Sequence, residues 1–110
     1  MVAGWQVRFF NPRLRQEIFA LPDGLLARFL RYAERLESFG PDLGMPHTRP
    51  MSRGLFELRL RASEGIGRVL YCVAPDRQIM MLHVFVKKTE TTPARELEIA
   101  RKRIKVLLDV

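Results

Sequence analysis

Between Gly54 and Lys88 the chain reads GLFELRLRASEGIGRVLYCVAPDRQIMMLHVFVKK, and most of its candidates for chemistry lie there. Arg59, Arg61, Arg68, Lys87 and Lys88 supply fixed positive charge. His83 is the side chain in this stretch whose ordinary pKa lies nearest neutrality, so it can serve as acid or base. Just upstream, His47, Arg49 and Arg53 add three more groups able to contact phosphate. Fixed cations do their chemistry by holding an anion and by stabilising charge that develops on a phosphoryl group. Other chemistries find no support: no Cys or His cluster has metal-ligand spacing, and neither a Gly-rich phosphate loop nor a G-x-S-x-G elbow occurs. No metal and no cofactor are expected.

The elements that must position these groups follow from the apolar pattern. Two turn signals, Ala62-Ser63-Glu64-Gly65 and Ala74-Pro75-Asp76-Arg77, divide the stretch into three strand-length runs, which predicts three antiparallel strands. In the first, Phe56, Leu58 and Leu60 alternate with Glu57, Arg59 and Arg61, so the charged set shares one face. In the second, Arg68 lies opposite Val69 and Tyr71, and Tyr71 reads as a core tyrosine. The third is apolar on both sides, as a strand covered on both faces should be, and only His83 interrupts it. Arg59 and Arg68 are the leading candidates for phosphate contact, because a strand holds a side chain more rigidly than a loop. His83 has two readings of equal weight, a proton-transfer group and a histidine satisfied inside the sheet.

Ahead of the sheet, Trp5 to Phe10 alternates as an edge strand. Asn11-Pro12 supplies an N-cap and a first-turn proline for a short helix with Leu14 and Ile18 inward. Asp23 is the expected cap of a second helix bearing Leu25, Leu26, Phe29, Ala33 and Leu36 on one stripe. Arg28, Arg31, Glu34 and Arg35 on its other side read as a solvated face. Gly40-Pro41 ends that helix, and a long loop runs to Arg53. It is read either as a functional segment or as a basic surface connection, and from it His47 could reach the cleft of His83. After the sheet, Thr92-Pro93 opens a last helix with Leu97, Ala100, Ile104 and Leu107 on its apolar stripe.

Bulk properties narrow the class. The 110 residues make one domain, 1–110, with a single modest core. Nineteen Lys and Arg against twelve Asp and Glu leave a net charge of +7, which points to an anionic partner. No apolar run is long enough to span a membrane and no signal peptide is apparent. The lone Cys72 rules out an internal disulfide and suits a reducing cytoplasm, the expected location. It reads as a small buried strand residue.

The order E-L-R, G-I-x-R-V-x-Y, L-H-x-F-x-K-K resembles the HigB/RelE superfamily of bacterial toxins, specifically its phage-derived HigB-like branch. The preceding G-P-D-L-G-M-P-H-x-R-P loop and the following T-P-x-x-E-x-x-x-A-x-x-R helix extend the resemblance over nearly the whole chain. One departure is Val84, where that family ordinarily has Gly; it changes a strand position and none of the candidate side chains. The resemblance implies a RelE/ParE-like α+β fold of order β-α-α-β-β-β-α. That fold is a twisted, mostly antiparallel sheet with an N-terminal helical hairpin and a C-terminal helix. It further implies the toxin of a type II toxin–antitoxin system, a metal-independent endoribonuclease that cuts mRNA at the ribosome. The partner would be an antitoxin with a helix-turn-helix DNA-binding domain.

Carried over residue by residue, the active-site arginine of G-I-x-R-V falls on Arg68, the basic position beside it on Arg59, and the third basic position on Lys87 or Lys88. With His83, these make a catalytic set of Arg59, Arg68, His83 and Lys87. An RNA-binding set of His47, Arg49, Arg53, Arg61 and Lys88 surrounds it. Two other readings share the fold. One is a ParE-like toxin that binds DNA gyrase and cleaves nothing, for which an exposed apolar sheet face would argue. The other is a nucleic-acid-binding protein without catalysis.

Overall fold

A computed structural model describes residues 4–87 and 91–108. The first strand, β1 (Gln6–Phe9), is short and lies at a sheet edge, as its alternation predicts. Helix α1 (Pro12–Phe19) starts as expected: the Asn11 side chain accepts from the Leu14 amide at 2.8 Å, and Pro12 begins the first turn. Helix α2 (Asp23–Phe39) departs from expectation at its start. The cap is Pro22, not Asp23, and it offers no side-chain acceptor. Pro22 is fixed in an extended conformation, so the helix begins one residue early and Asp23 falls inside its first turn. The orphan Gly24 amide instead donates to the Glu64 carboxylate at 2.9 Å, from a turn forty residues away in the chain. Gly40, at φ 97°, closes the helix.

The segment from Pro41 to Arg53, read as a loop throughout, contains an additional strand, β2 (Thr48–Ser52). Pro50 in its middle argues against a strand in sequence, but an edge strand tolerates a residue without an amide proton. The register shifts between Pro50 and Ser52, as expected of a bulged edge. The three predicted strands are present as β3 (Leu55–Ala62), β4 (Gly65–Ala74) and β5 (Gln78–Lys87), joined by the two predicted turns. The sheet order is β1-β5-β4-β3-β2; β1 runs parallel to β5 and every other pair is antiparallel. Helix α3 (Ala94–Leu108) follows. The fold is thus the expected α+β arrangement with one extra strand.

Two apolar clusters sandwich the sheet. On one face α1 and α2 bring Leu14, Ile18, Leu25, Phe29 and Leu36 against Leu58, Leu60, Val69, Tyr71, Ile79 and Met81. On the other, Ala100, Leu97, Ile104 and Leu107 of α3 cover Leu55, Leu70, Cys72, Met80 and Leu82. β5 therefore buries both of its sides, as its continuous apolar run requires. Between Leu70 and Tyr71 the β4–β5 register slips, so that Leu70 pairs with His83 while Tyr71 pairs with Met81. The extra residue lets Leu82 and His83 both serve the α3 side.

Tyr71 is a core residue: its ring stacks on Phe56 at 5.3 Å, its hydroxyl donates to the Pro41 carbonyl, and burial pushes its ionisation up. Cys72 is likewise sealed in, and burial pushes its thiol from 9.0 up to about 11. A raised folded value favours the native state below the unfolded pKa and loses that contribution as pH climbs toward the folded one. Urea midpoints of the wild type and Cys72→Ala should hence converge or cross between about pH 9 and 11, the wild type falling faster. Parallel midpoints across that window would contradict the buried-thiol account.

Candidate functional site

Alternation along three adjacent strands gathers the charged groups on the α3 face. β3 contributes Glu57, Arg59 and Arg61; Arg68 of β4 lies directly across from Arg59; Phe85 lies across from Arg68 and Lys87 across from Ile66. Arg49 of β2 sits opposite Glu57 and is exposed. α3 covers the Cys72 end of this face, and its N-terminal approach brings Thr92 and Glu96 to the charged end.

Glu57 is the hub. Its carboxylate lies 3.5 Å from Nε of Arg68 and 3.9 Å from Nε of Arg59, and it accepts a short hydrogen bond from the Thr92 hydroxyl. Glu57 and Arg68 are each 1 % exposed. Burying a guanidinium is costly unless it is paired and its donors are used. The carboxylate pairs Arg68, and the Gly67 carbonyl accepts from its Nη1 at 3.0 Å. Arg59 is more open: its side chain retains 18 % exposure, and its Nη1 reaches the Met45 sulfur at 3.7 Å. Lys87 donates to Thr92 at 3.5 Å and lies 6.0 Å from the Phe85 ring. Arg59, Arg68 and Lys87 are thereby joined through Glu57 and Thr92 into one hydrogen-bonded and ionic network.

His83 belongs to an adjoining arrangement. Its Nε2 bonds the Glu96 carboxylate at 2.5 Å, its ring stacks on Phe85 at 5.7 Å, and its Nδ1 is buried without a hydrogen-bond partner among the described residues. One nitrogen thus fastens α3 to β5 and the other is buried. The histidine is held as a strut, with no nitrogen turned toward the open part of the face.

The remaining candidates divide. His47 does not meet His83. It packs against Tyr32 of α2, ring centroids 5.0 Å apart, whereas His83 is bonded to the helix on the opposite face of the sheet. His47 does share a cavity of about 460 Å³ with Arg28, Tyr32, Arg59, Arg61 and Arg68, between α2 and the edge of β3. Arg53 sits in the β2–β3 turn at φ 47° and lines a separate cavity of about 230 Å³ with Arg101, Ile104 and Lys105. Lys88 lies outside the described residues. Glu57, Thr92 and Glu96 carry the architecture of the site and were not among the sequence-derived candidates. The signals existed: Glu57 alternates in phase with Arg59, and Thr92 and Glu96 are the T and E of the T-P-x-x-E helix start.

Residues 16–105 match the model of the family described as "Phage derived protein Gp49-like (DUF891)". The chain belongs to the Gp49-like family. Among solved structures it is similar to the free state of the E. coli toxin RelE, in a mutant with two arginine-to-alanine substitutions. That match has TM-score 0.66 and 17% identity, and it covers 92% of this chain and 98% of that one. It is also similar to the archaeal RelE–RelB complex from Pyrococcus horikoshii, with TM-score 0.54, 22% identity, and coverage of 74% and 93%. No curated protein is significantly similar to it. The resemblance read from the strand motifs is borne out, and this Gp49-like protein has the RelE fold. Among its described residues no helix is long and apolar enough to cross a membrane.

Proposed function

We propose that this Gp49-like protein is the toxin of a type II toxin–antitoxin pair and cleaves mRNA on the ribosome. The observation that carries the reading is the Arg59–Glu57–Arg68 cluster at the rigid centre of a RelE-type sheet. The substrate's own 2′-hydroxyl attacks the adjacent phosphorus; the bond to O2′ forms as the bond to O5′ breaks, with the O2′ proton passing to solvent and the departing O5′ taking a proton from solvent. The upstream fragment ends in a 2′,3′-cyclic phosphate and the downstream one in a 5′-hydroxyl. Arg59 and Lys87 supply fixed charge to the pentavalent phosphate. Arg68 acts at the cavity wall, and Glu57 fixes the aim of both guanidiniums as a positioning residue. Arg49 and Arg61 flank the cluster and hold neighbouring phosphates. The charged sheet face favours this reading over a ParE-like gyrase poison, which would call for an apolar face.

The solved archaeal relative is a RelE–RelB complex, and by analogy this chain would be neutralised by an antitoxin; the helix-turn-helix type is an expectation of the family branch. Inducing the protein in cells and mapping mRNA 5′ ends tests the activity. Discrete new 5′-hydroxyl ends within reading frames are expected within minutes. Growth arrest without any such ends would overturn the nuclease reading and favour the gyrase one.

A further inference from the structure

Arg28, Arg31 and Arg35 are exposed and recur along α2 at the three- and four-residue spacing of a single helix face. In sequence that stripe reads as solvated surface, but the fold gives it neighbours. Arg28 lines the 460 Å³ cavity that reaches Arg59, Arg61 and Arg68. A second cavity, of about 240 Å³, is lined by Arg28, Arg31, Tyr32, Arg35 and His47. Arg28, Tyr32 and His47 belong to both, so the two form one trough. Among the described residues no carboxylate lines either part. Neither Arg28 nor Arg31 enters an ion pair among the described residues. Midway, the half-buried His47 ring lies against Tyr32 at an interplanar angle of 57°; Tyr32 is buried in the core and backs His47, which is the ring left to a stacking partner.

Positive charges spaced along a line, with ring faces between them, match a single-stranded nucleic acid. Its phosphates recur along the strand, and any base can stack on a ring. A run of Asp and Glu would complement the arginines but has no ring to stack on His47. We infer that the α2 arginine stripe and the His47–Tyr32 pair form a second RNA-contacting track. It leads from the Arg59/Arg61 strand edge onto the helical hairpin and receives the single-stranded backbone that adjoins the cleaved phosphate. The inference rests on the nucleic-acid reading above and extends it to residues outside the cluster around Glu57.

The probe is a labelled 2′-O-methyl oligoribonucleotide of about ten nucleotides, which cannot be cut, titrated with intact protein over a salt series. Each single-strand phosphate contact contributes about 0.7 to the slope of log affinity against log salt. Replacing all three exposed arginines (Arg28→Ala, Arg31→Ala, Arg35→Ala) should make the slope shallower by about 2 and weaken binding at least tenfold near 0.1 M salt. His47→Ala should weaken binding about tenfold with the slope unchanged, separating stacking from charge. A folded triple variant with wild-type affinity and slope would overturn the track. So would a wild type that fails to bind the probe at low salt. Equal displacement of the probe by polyglutamate of the same charge would also overturn it and assign the trough to an acidic protein partner. Because the probe is uncleavable, a wild type that binds it yet cuts no mRNA keeps the track and removes only the nuclease reading.

Discussion

Arg68→Ala is expected to abolish cleavage and growth arrest and also to weaken the fold. Arg68 shares Glu57 with Arg59, so its loss releases the aim of a donor to the developing phosphoryl charge, and losing one such donor costs on the order of 10²–10³ in rate. Arg68 is 1 % exposed and its nearest carboxylate, Glu57, is equally buried, so truncation leaves that carboxylate short of a partner. Breaking a buried pair by removing one member costs roughly 3–5 kcal/mol; the surviving Arg59 and Thr92 contacts favour the lower end. The two effects separate in a double variant, Arg68→Met with Glu57→Gln, which removes both charges and should recover most of the urea midpoint while remaining inactive. Arg68→Lys should keep the charge and lose only part of each property. An Arg68→Ala protein that is as stable as wild type would refute the ion-pair argument, and one that still cuts mRNA would refute the catalytic assignment.

Cleavage of mRNA in programmed ribosomes is expected to exceed cleavage of the same naked RNA by several orders of magnitude. Among the described residues the cluster offers charge at Arg59, Arg68 and Lys87 but few acid–base groups: Glu96 engages His83, and His47, which shares the cavity with Arg59 and Arg68, packs against Tyr32. A site strong in electrostatics and poor in acid–base groups depends on an in-line geometry imposed from outside, which can be worth roughly 7–11 kcal/mol of barrier. Equal amounts of protein, with naked mRNA in one tube and the same mRNA on ribosomes in the other, decide the matter by the yield of 5′-hydroxyl ends. Comparable yields would mean that this chain contains a complete active site.

The central meander was legible because its alternation and its two turn signals agree, and because strand period alone assigns Glu57, Arg59 and Arg61 to one face. What escaped depends on contacts between distant segments. Pro50 masked β2, since whether proline is tolerated depends on being at an edge, a property of the sheet order. Asp23 looks like a cap, yet the acceptor at the start of α2 comes from Glu64. The two histidines could be assigned to opposite faces only once α2 and α3 were known to cover different sides. The burial of Arg68 could be suspected from its apolar strand, but not the identity of the carboxylate that accompanies it.

The parallel ladder that sets Gln6 beside Gln78 has a consequence for the order in which the molecule can assemble. Chain synthesis at about 5–20 residues per second separates the appearance of β1 and β5 by several seconds or more. Over that interval Val7 and Phe9 have no strand to lie beside, and until β3 and β4 emerge α1 and α2 have no sheet to cover. A ladder between such remote segments also carries a large loop-closure cost, so it belongs late on the folding route. The nascent chain therefore passes through a stage in which the helical hairpin exists with its apolar side bare. That stage is where a chaperone, or a partner already present in the cell, would meet the protein first.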